Sequence, residues 1–231
     1  MTDELFRVDT LRVCYGESEV IARLSLSASK NEIVALMGLN GMGKTTLMKA
    51  LIGLLPARAG SIKLGGLALE KAAPHERVKQ GLAYVPQGRL VFPTLSVEEN
   101  IVTGLGPREH RVPDHIYKFF PVLREMRKRR AGNLSGGQQQ QLAIARALVS
   151  EPRMLLLDEP TEGIQPSIVR EIEEAIRQLH AAGLTILLVE QYLELALRLA
   201  DRFVILDAGE VVRSGVAGDL RDESVRRLLA V

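Results

Sequence analysis

The sequence predicts an α/β fold with a mainly parallel sheet, and three observations carry that prediction. Short apolar runs recur along the chain: "IVALM" (33–37), "LAYVP" (82–86), "MLLLD" (154–158), "TILLV" (185–189) and "RFVILD" (202–207). Compact runs without polar alternation are how strands buried on both faces of a parallel sheet read. Helical patterns lie between them. The first run also passes directly into a glycine-rich loop, "GLNGMGKTT" (Gly38–Thr46), and then into the helical run "TTLMKALIG".

The remaining elements follow in chain order. From about Gly88 to Ser150 there are helix signals and no convincing strand. "SVEE" (Ser96–Glu99) is a capping box that opens one helix, Pro121 starts another, and "GGQQQQLAIARALV" (136–149) is a third. This predicts a helical subdomain at about 88–152 inside a single domain spanning 1–231. Residues 166–182 place Ile168, Ile172, Ala175, Ile176 and Leu179 on one helical face, with Pro166 in the first turn and Gly183 closing the helix. "DAGE" (207–210) is a tight turn between two strands, which adds an antiparallel annex. "ESVRRLLA" near the C-terminus is a short amphipathic pattern.

Composition bounds the function. The chain has 231 residues, 46% hydrophobic and 25% charged, as expected for a globular protein with a full core. Net charge is 30 − 28 = +2, too small to argue for a nucleic-acid partner. The single cysteine, Cys14, excludes an internal disulfide and fits a reducing compartment. "MTDELFRVDT" has neither the basic nor the apolar region of a signal peptide. The apolar runs fall short of the roughly 18 residues a membrane helix needs, so membrane contact is expected only through a partner.

The chemistry lies in three stretches. "GLNGMGKTT" fits the spacing G-x-x-x-x-G-K-[ST] in the strand–loop–helix context that motif requires. Its glycines let backbone N–H groups curl around an anion at a helix N-terminus. Asn40, Gly41, Gly43, Lys44, Thr45 and Thr46 are the expected nucleotide-binding residues. Lys44 would reach the β- and γ-phosphates and Thr45 would ligate Mg²⁺. "MLLLDEP" delivers Asp158 and Glu159 to the C-terminal edge of the sheet, where ligands sit in open α/β folds. Asp158 would hold Mg²⁺ through water, and Glu159 would orient and deprotonate the attacking water. "LSGGQ" (Leu134–Gln138) is a second glycine-rich turn at a helix start. One nucleotide needs one such nest, so two per chain suggest half-sites completed when two copies face each other.

With that signature the chain resembles the ABC ATPases, and the resemblance covers about residues 4–230. It implies bound ATP and Mg²⁺, and hydrolysis that powers a membrane transporter. Ser135, Gly136, Gly137 and Gln138 would then bind nucleotide, with Ser135 and Gly137 touching the γ-phosphate held by the opposite subunit. Tyr15, in "CYGESEV", matches the aromatic residue that stacks on adenine. Gln87, in "YVPQGRLVFPTLSVEEN", matches the glutamine that couples Mg²⁺ and the attacking water to the helical subdomain. Val91, Phe92 and Pro93 would lie near the groove that receives the permease. The implied partners are a second ATPase subunit, in a homo- or heterodimer, and transmembrane permease subunits. The implied location is peripheral, on the cytoplasmic face of the inner membrane. "RKRR" (127–130) reads as a solvated helix end and "QQQQ" (138–141) as the start of the signature helix. The four histidines (75, 110, 115, 180) lack metal-ligand spacing, so no metal beyond Mg²⁺ is expected.

Two positions depart from the family pattern. Gln165 stands where an aspartate is usual, in "TEGIQP", and Gln191 stands where a histidine is usual, in "ILLVEQY". Together they resemble the branch serving branched-chain amino acid and urea importers. The wording is nearest the urea-permease ATPase, with a branched-chain amino acid importer as the alternative. A soluble, non-transport ABC ATPase is disfavoured, because no second cassette or coiled-coil insertion is present. Glutamine offers an N–H donor of similar reach to histidine but does not titrate. Gln191 is therefore expected to help the site by position, leaving Glu159 as the base.

Overall fold

The computed structural model describes residues 3–106 and 109–229. Two sheets organise it. The six-stranded sheet is formed by β3 (Ile33–Met37), β6 (Leu82–Val85), β7 (Met154–Asp158), β8 (Thr185–Val189), β9 (Arg202–Asp207) and β10 (Glu210–Val216), in the order β10-β9-β3-β8-β7-β6. All neighbours are parallel except β10, which returns antiparallel on β9 through the turn at Ala208-Gly209. β3, β7 and β8 are buried at every residue, as their unbroken apolar runs predict.

Alternate residues of these strands serve two cores. Leu155, Leu157, Ile186 and Leu188 face the helices α6 (Gly136–Leu148) and α7 (Pro166–Ala181). Met154, Leu156, Leu187 and Val189 face α1 (Lys44–Ile52) and the second sheet. That second sheet is antiparallel, in the order β2-β1-β4-β5, and comprises β1 (Glu4–Tyr15), β2 (Ser18–Ser29), β4 (Ala57–Leu64) and β5 (Leu67–Ala68). The sequence pattern did not expose these four strands individually. β1 and β2 pair with repeated register shifts, and Thr10 and Arg23 sit at positive φ, so the two-residue alternation is interrupted.

Between β6 and β7 the described residues form helices and no strand: α3 (Val97–Val102), α4 (Asp114–Phe119), α5 (Pro121–Glu125), a 3₁₀ turn at Ala131–Asn133, and α6. Ser96 caps α3 in the expected capping box: its hydroxyl accepts from the Glu99 N–H at 3.2 Å, and the Glu99 carboxylate accepts from the Ser96 N–H at 2.7 Å. α2 (Pro74–Lys79) precedes β6, α8 (Leu193–Leu199) follows β8, and α9 (Glu223–Leu229) ends the described chain. Met1, Thr2, Pro107, Arg108, Ala230 and Val231 lie outside the described residues, and with them the ends of the sequence motifs at both termini. Among the described residues no helix is long and apolar enough to cross a membrane.

Candidate active site

Four adjacent strands, β3, β8, β7 and β6, end at the same edge of the sheet, and each carries one part of the site past its last residue. β3 runs into the loop 38–43 and α1. The loop approaches its surroundings closely: a Cβ on Gly38 would lie 2.2 Å from the Leu206 carbonyl oxygen, at φ 144°, which restricts this position to glycine. Gly43 caps α1 at its N-terminus and packs against Val20 and Ile21 of β2. Lys44 is 5% exposed, and its ammonium donates to the Gly38 and Leu39 carbonyls at 2.7 and 2.9 Å. Burial lowers its pKa, against the opposing pull of Glu159 and Asp158. Asn40 and Gly41 are exposed at the loop tip, and Thr45 and Thr46 are half-buried in the first turn of α1.

Asp158 ends β7 at 1% exposure. The Thr45 hydroxyl donates to its Oδ1 at 3.4 Å, and the Tyr84 hydroxyl, from β6, donates to its Oδ2 at 3.1 Å. Burial raises the Asp158 pKa, while the bonds from Tyr84 and Thr45 oppose that rise. Tyr84 is itself shifted upward by burial and by the Asp158 charge, so it remains a hydrogen-bond donor. Nothing in the sequence pattern singled it out: in "LAYVP" it reads as an ordinary strand residue.

Glu159 follows with φ 49°, a left-handed backbone that turns its side chain away from the strand direction. Two amides hold its carboxylate. Gln191 Nε2 donates to Oε1 at 2.7 Å and Gln87 Nε2 donates to Oε2 at 3.3 Å. The Lys44 ammonium stands 4.0 Å from Oε1. Gln87 also donates to Glu162 at 2.9 Å. Lys44, Thr45, Asp158, Glu159, Gln87 and Gln191, taken from four separate stretches of sequence, thus form one connected set. Thr45 and Asp158 put two hard oxygen donors side by side next to the loop, a donor set that suits Mg²⁺.

The signature residues and Tyr15 do not join that set among the described contacts. Ser135 caps α6 in a capping box with Gln138, with bonds of 3.3 and 3.0 Å. Gly136 lies against the Arg89 guanidinium. Gly137 is buried where α6 meets α7: a Cβ there would fall 1.9 Å from Ile168 Cγ2. Tyr15 ends β1 with its ring 47% exposed and pairs with Ser18, two residues before Val20, which backs Gly43.

The chain as a whole has counterparts among known proteins. Residues 21–162, more than half of the chain, match the family model for the ABC transporter. The chain belongs to that family. It is an ABC-type ATPase. It is 42% identical over 208 residues to a high-affinity branched-chain amino acid transport ATP-binding protein of Pseudomonas aeruginosa, covering 88% of this chain and 89% of that protein. It is 39% identical over 221 residues to a probable branched-chain amino acid transport ATP-binding protein of Archaeoglobus fulgidus, covering 94% of each. Among solved structures, a nucleotide-free ATP-binding cassette from an ABC transporter matches with a TM-score of 0.88 at 25% identity, covering 99% of both chains.

Proposed function

We propose that this ATPase drives a membrane importer for branched-chain amino acids. The observation that carries the reading is the pair of relatives with that activity in their names, which align along nearly the whole chain. The urea reading drawn from "LSGGQQQQLAIARALV" and "LDEPTEGIQPS" is the second possibility. Solute does not touch this subunit in either case, so uptake by the assembled complex decides. The complex co-purified from membranes is reconstituted and given labelled leucine or labelled urea. ATP-dependent leucine uptake supports the proposal, and urea uptake without leucine uptake overturns it.

The mechanism follows from the residues. Lys44 and the N–H groups of residues 40–46 would hold the triphosphate. Thr45 and Asp158, with Gln87, would hold Mg²⁺; when bound, the ion neutralises charge on the phosphate oxygens. Glu159 would orient a water in line with the γ-phosphate and take its proton as the β–γ bond breaks, giving ADP and inorganic phosphate. Gln191 would steady Glu159 and reach the γ-phosphate as a donor. Tyr15 would stack on the adenine. Ser135, Gly136, Gly137 and Gln138 would close on the nucleotide of a facing subunit, in a homo- or heterodimer.

Closure and reopening of that pair would move the permease. Residues 88–152 would act as the helical subdomain that carries the movement. A groove of about 960 Å³ lies between α2, β6 and α6, lined by residues including Leu90, Phe92, Leu105 and Arg146. Leu90 and Phe92 are 66% and 48% exposed. Their apolar surface supports permease docking there, with the subunit peripheral on the cytoplasmic face of the membrane.

A further inference from the structure

Glu190 is a buried carboxylate with no part in the scheme above. It follows the last residue of β8, is 2% exposed, and accepts three hydrogen bonds. The Thr161 hydroxyl, itself 3% exposed, donates to Oε1 at 2.7 Å. The backbone N–H groups of Gln191 and Tyr192 donate to Oε2 at 3.1 and 3.5 Å. Its own N–H bonds to the Leu36 carbonyl at 3.3 Å, which ties the turn to β3. A carboxylate is costly to bury, and a neutral residue could fill the same space.

The contacts close a ring. Thr161 lies two residues beyond Glu159 on the loop leaving β7, and Gln191 lies one residue beyond Glu190 on the loop leaving β8. Glu190 joins the two loops at their base, and the Gln191–Glu159 bond of 2.7 Å joins them again at the site. β7 and β8 are adjacent and parallel, so both loops start from a fixed spacing.

We propose that Glu190 is a positioning residue for Glu159: it shapes the turn 190–192 so that the Gln191 amide holds the Glu159 carboxylate where it meets the attacking water. This rests on the reading of Glu159 as the base. Removing Glu190 takes the acceptor from two backbone N–H groups and a buried hydroxyl at once, and the turn that aims Gln191 relaxes. Displacements of about 1 Å cost on the order of 10²-fold in rate when they misplace a reacting group.

The test is a mutant cycle in the assembled transporter, reading kcat and KM for ATP. Glu190→Ala should lower kcat roughly 10- to 100-fold with KM for ATP within about threefold, because transition-state alignment is lost and nucleotide binding is not. Glu190→Gln, whose oxygen can accept both N–H groups while its amide donates to the Thr161 hydroxyl, should recover a large part of that loss. Glu190→Ala combined with Gln191→Ala should be no slower than the slower single variant, because the two act through one path. A double variant whose loss equals the product of the singles overturns the proposal, as does Glu190→Ala with kcat within twofold of the parent. If Glu190→Ala does not fold, the cycle of Thr161→Val with Gln191→Ala decides by the same rule. Glu159→Gln is run alongside: if it retains turnover, the base reading has failed and the inference falls with it, whereas loss of turnover there leaves the Glu190 cycle to speak for itself.

Discussion

Asp158 and Glu159 leave a strand in which every residue is buried, whereas Gln87 leaves one whose continuation is bent and exposed. The first region is held from several sides. Asp158 receives bonds from α1 and β6, Glu159 from both flanking loops, and Glu190 locks the loop behind them. The second has three consecutive residues at positive φ, Gly88, Arg89 and Leu90, at 79°, 67° and 46°. Two of them are not glycine, and such conformations cost on the order of 1–3 kcal/mol each. Side chains reach in to hold them: Arg146 of α6 donates to the Leu90 and Arg89 carbonyls at 2.9 and 3.3 Å and stacks 5.4 Å from the centre of the Phe92 ring, Arg89 donates to the Glu162 carbonyl at 3.2 Å, and Asn100 of α3 accepts from the Phe92 N–H at 2.8 Å. The nucleotide end is thus built to stay in place. The strained segment that leads from Gln87 to the groove hangs on side-chain bonds to exposed backbone, and Arg146 is the latch that spans both Arg89 and Leu90.

The largest expected effect breaks the rigid side of that comparison. Glu159→Gln keeps the shape and removes the base, and turnover of the assembled complex should fall by roughly 10²–10⁴-fold with ATP still bound. Steady-state ATPase and nucleotide-binding measurements separate the two effects. Next comes the seat of the signature helix. Gly137→Ala drives a methyl group into Ile168, at a cost of about 1–3 kcal/mol. For a chain of this size that is a fall in Tm of roughly 2–12 °C. Ile168→Ala in the same chain should restore part of it, and a melt showing no rescue would remove the helix contact as the cause.

The latch gives a smaller and more local effect. Arg146→Ala should speed amide exchange in residues 88–92 by roughly tenfold, the worth of about one or two hydrogen bonds, and leave the loop 38–46 unchanged. Equal acceleration in both segments would erase the distinction between the regions. The smallest effect concerns α7, which packs against α6 and α8. Glu173 is buried on α7 and takes a two-pronged pair of bonds from Arg198 at 3.0 and 3.1 Å, with Arg177 beside it. Burial raises its pKa, but the Arg198 bond and the charges of Arg177 and Arg198 outweigh that, and the net shift is downward. Its folded pKa lies below the unfolded value of about 4.3. Its contribution is therefore complete above that value and lost as pH falls through the folded pKa. The Tm gap between the parent and Glu173→Gln should stay constant from about pH 8 to pH 5 and narrow towards pH 3.

The parallel sheet, the glycine-rich loop after β3 and the family could all be read along the sequence. β3, β7, β8 and β9 were readable to the residue because strands buried on both faces need unbroken apolar runs. Lys44, Asp158 and Glu159 were readable because each sits directly after or near such a run, where the sheet edge must be. Ser96 was readable as a cap because capping is local chemistry. Tertiary structure alone decided what these residues touch. Tyr84 reaches Asp158 only because β6 lies beside β7, and Glu190 meets Thr161 only because β8 lies on the other side of it; neither adjacency is encoded within any window of sequence. Gly137 owes its restriction to Ile168, 31 positions away along the chain and touching only after α6 and α7 pack. Gln191 shows both halves of the lesson: the sequence marked it as an exception, and the packing of two parallel strand ends set its amide against Glu159.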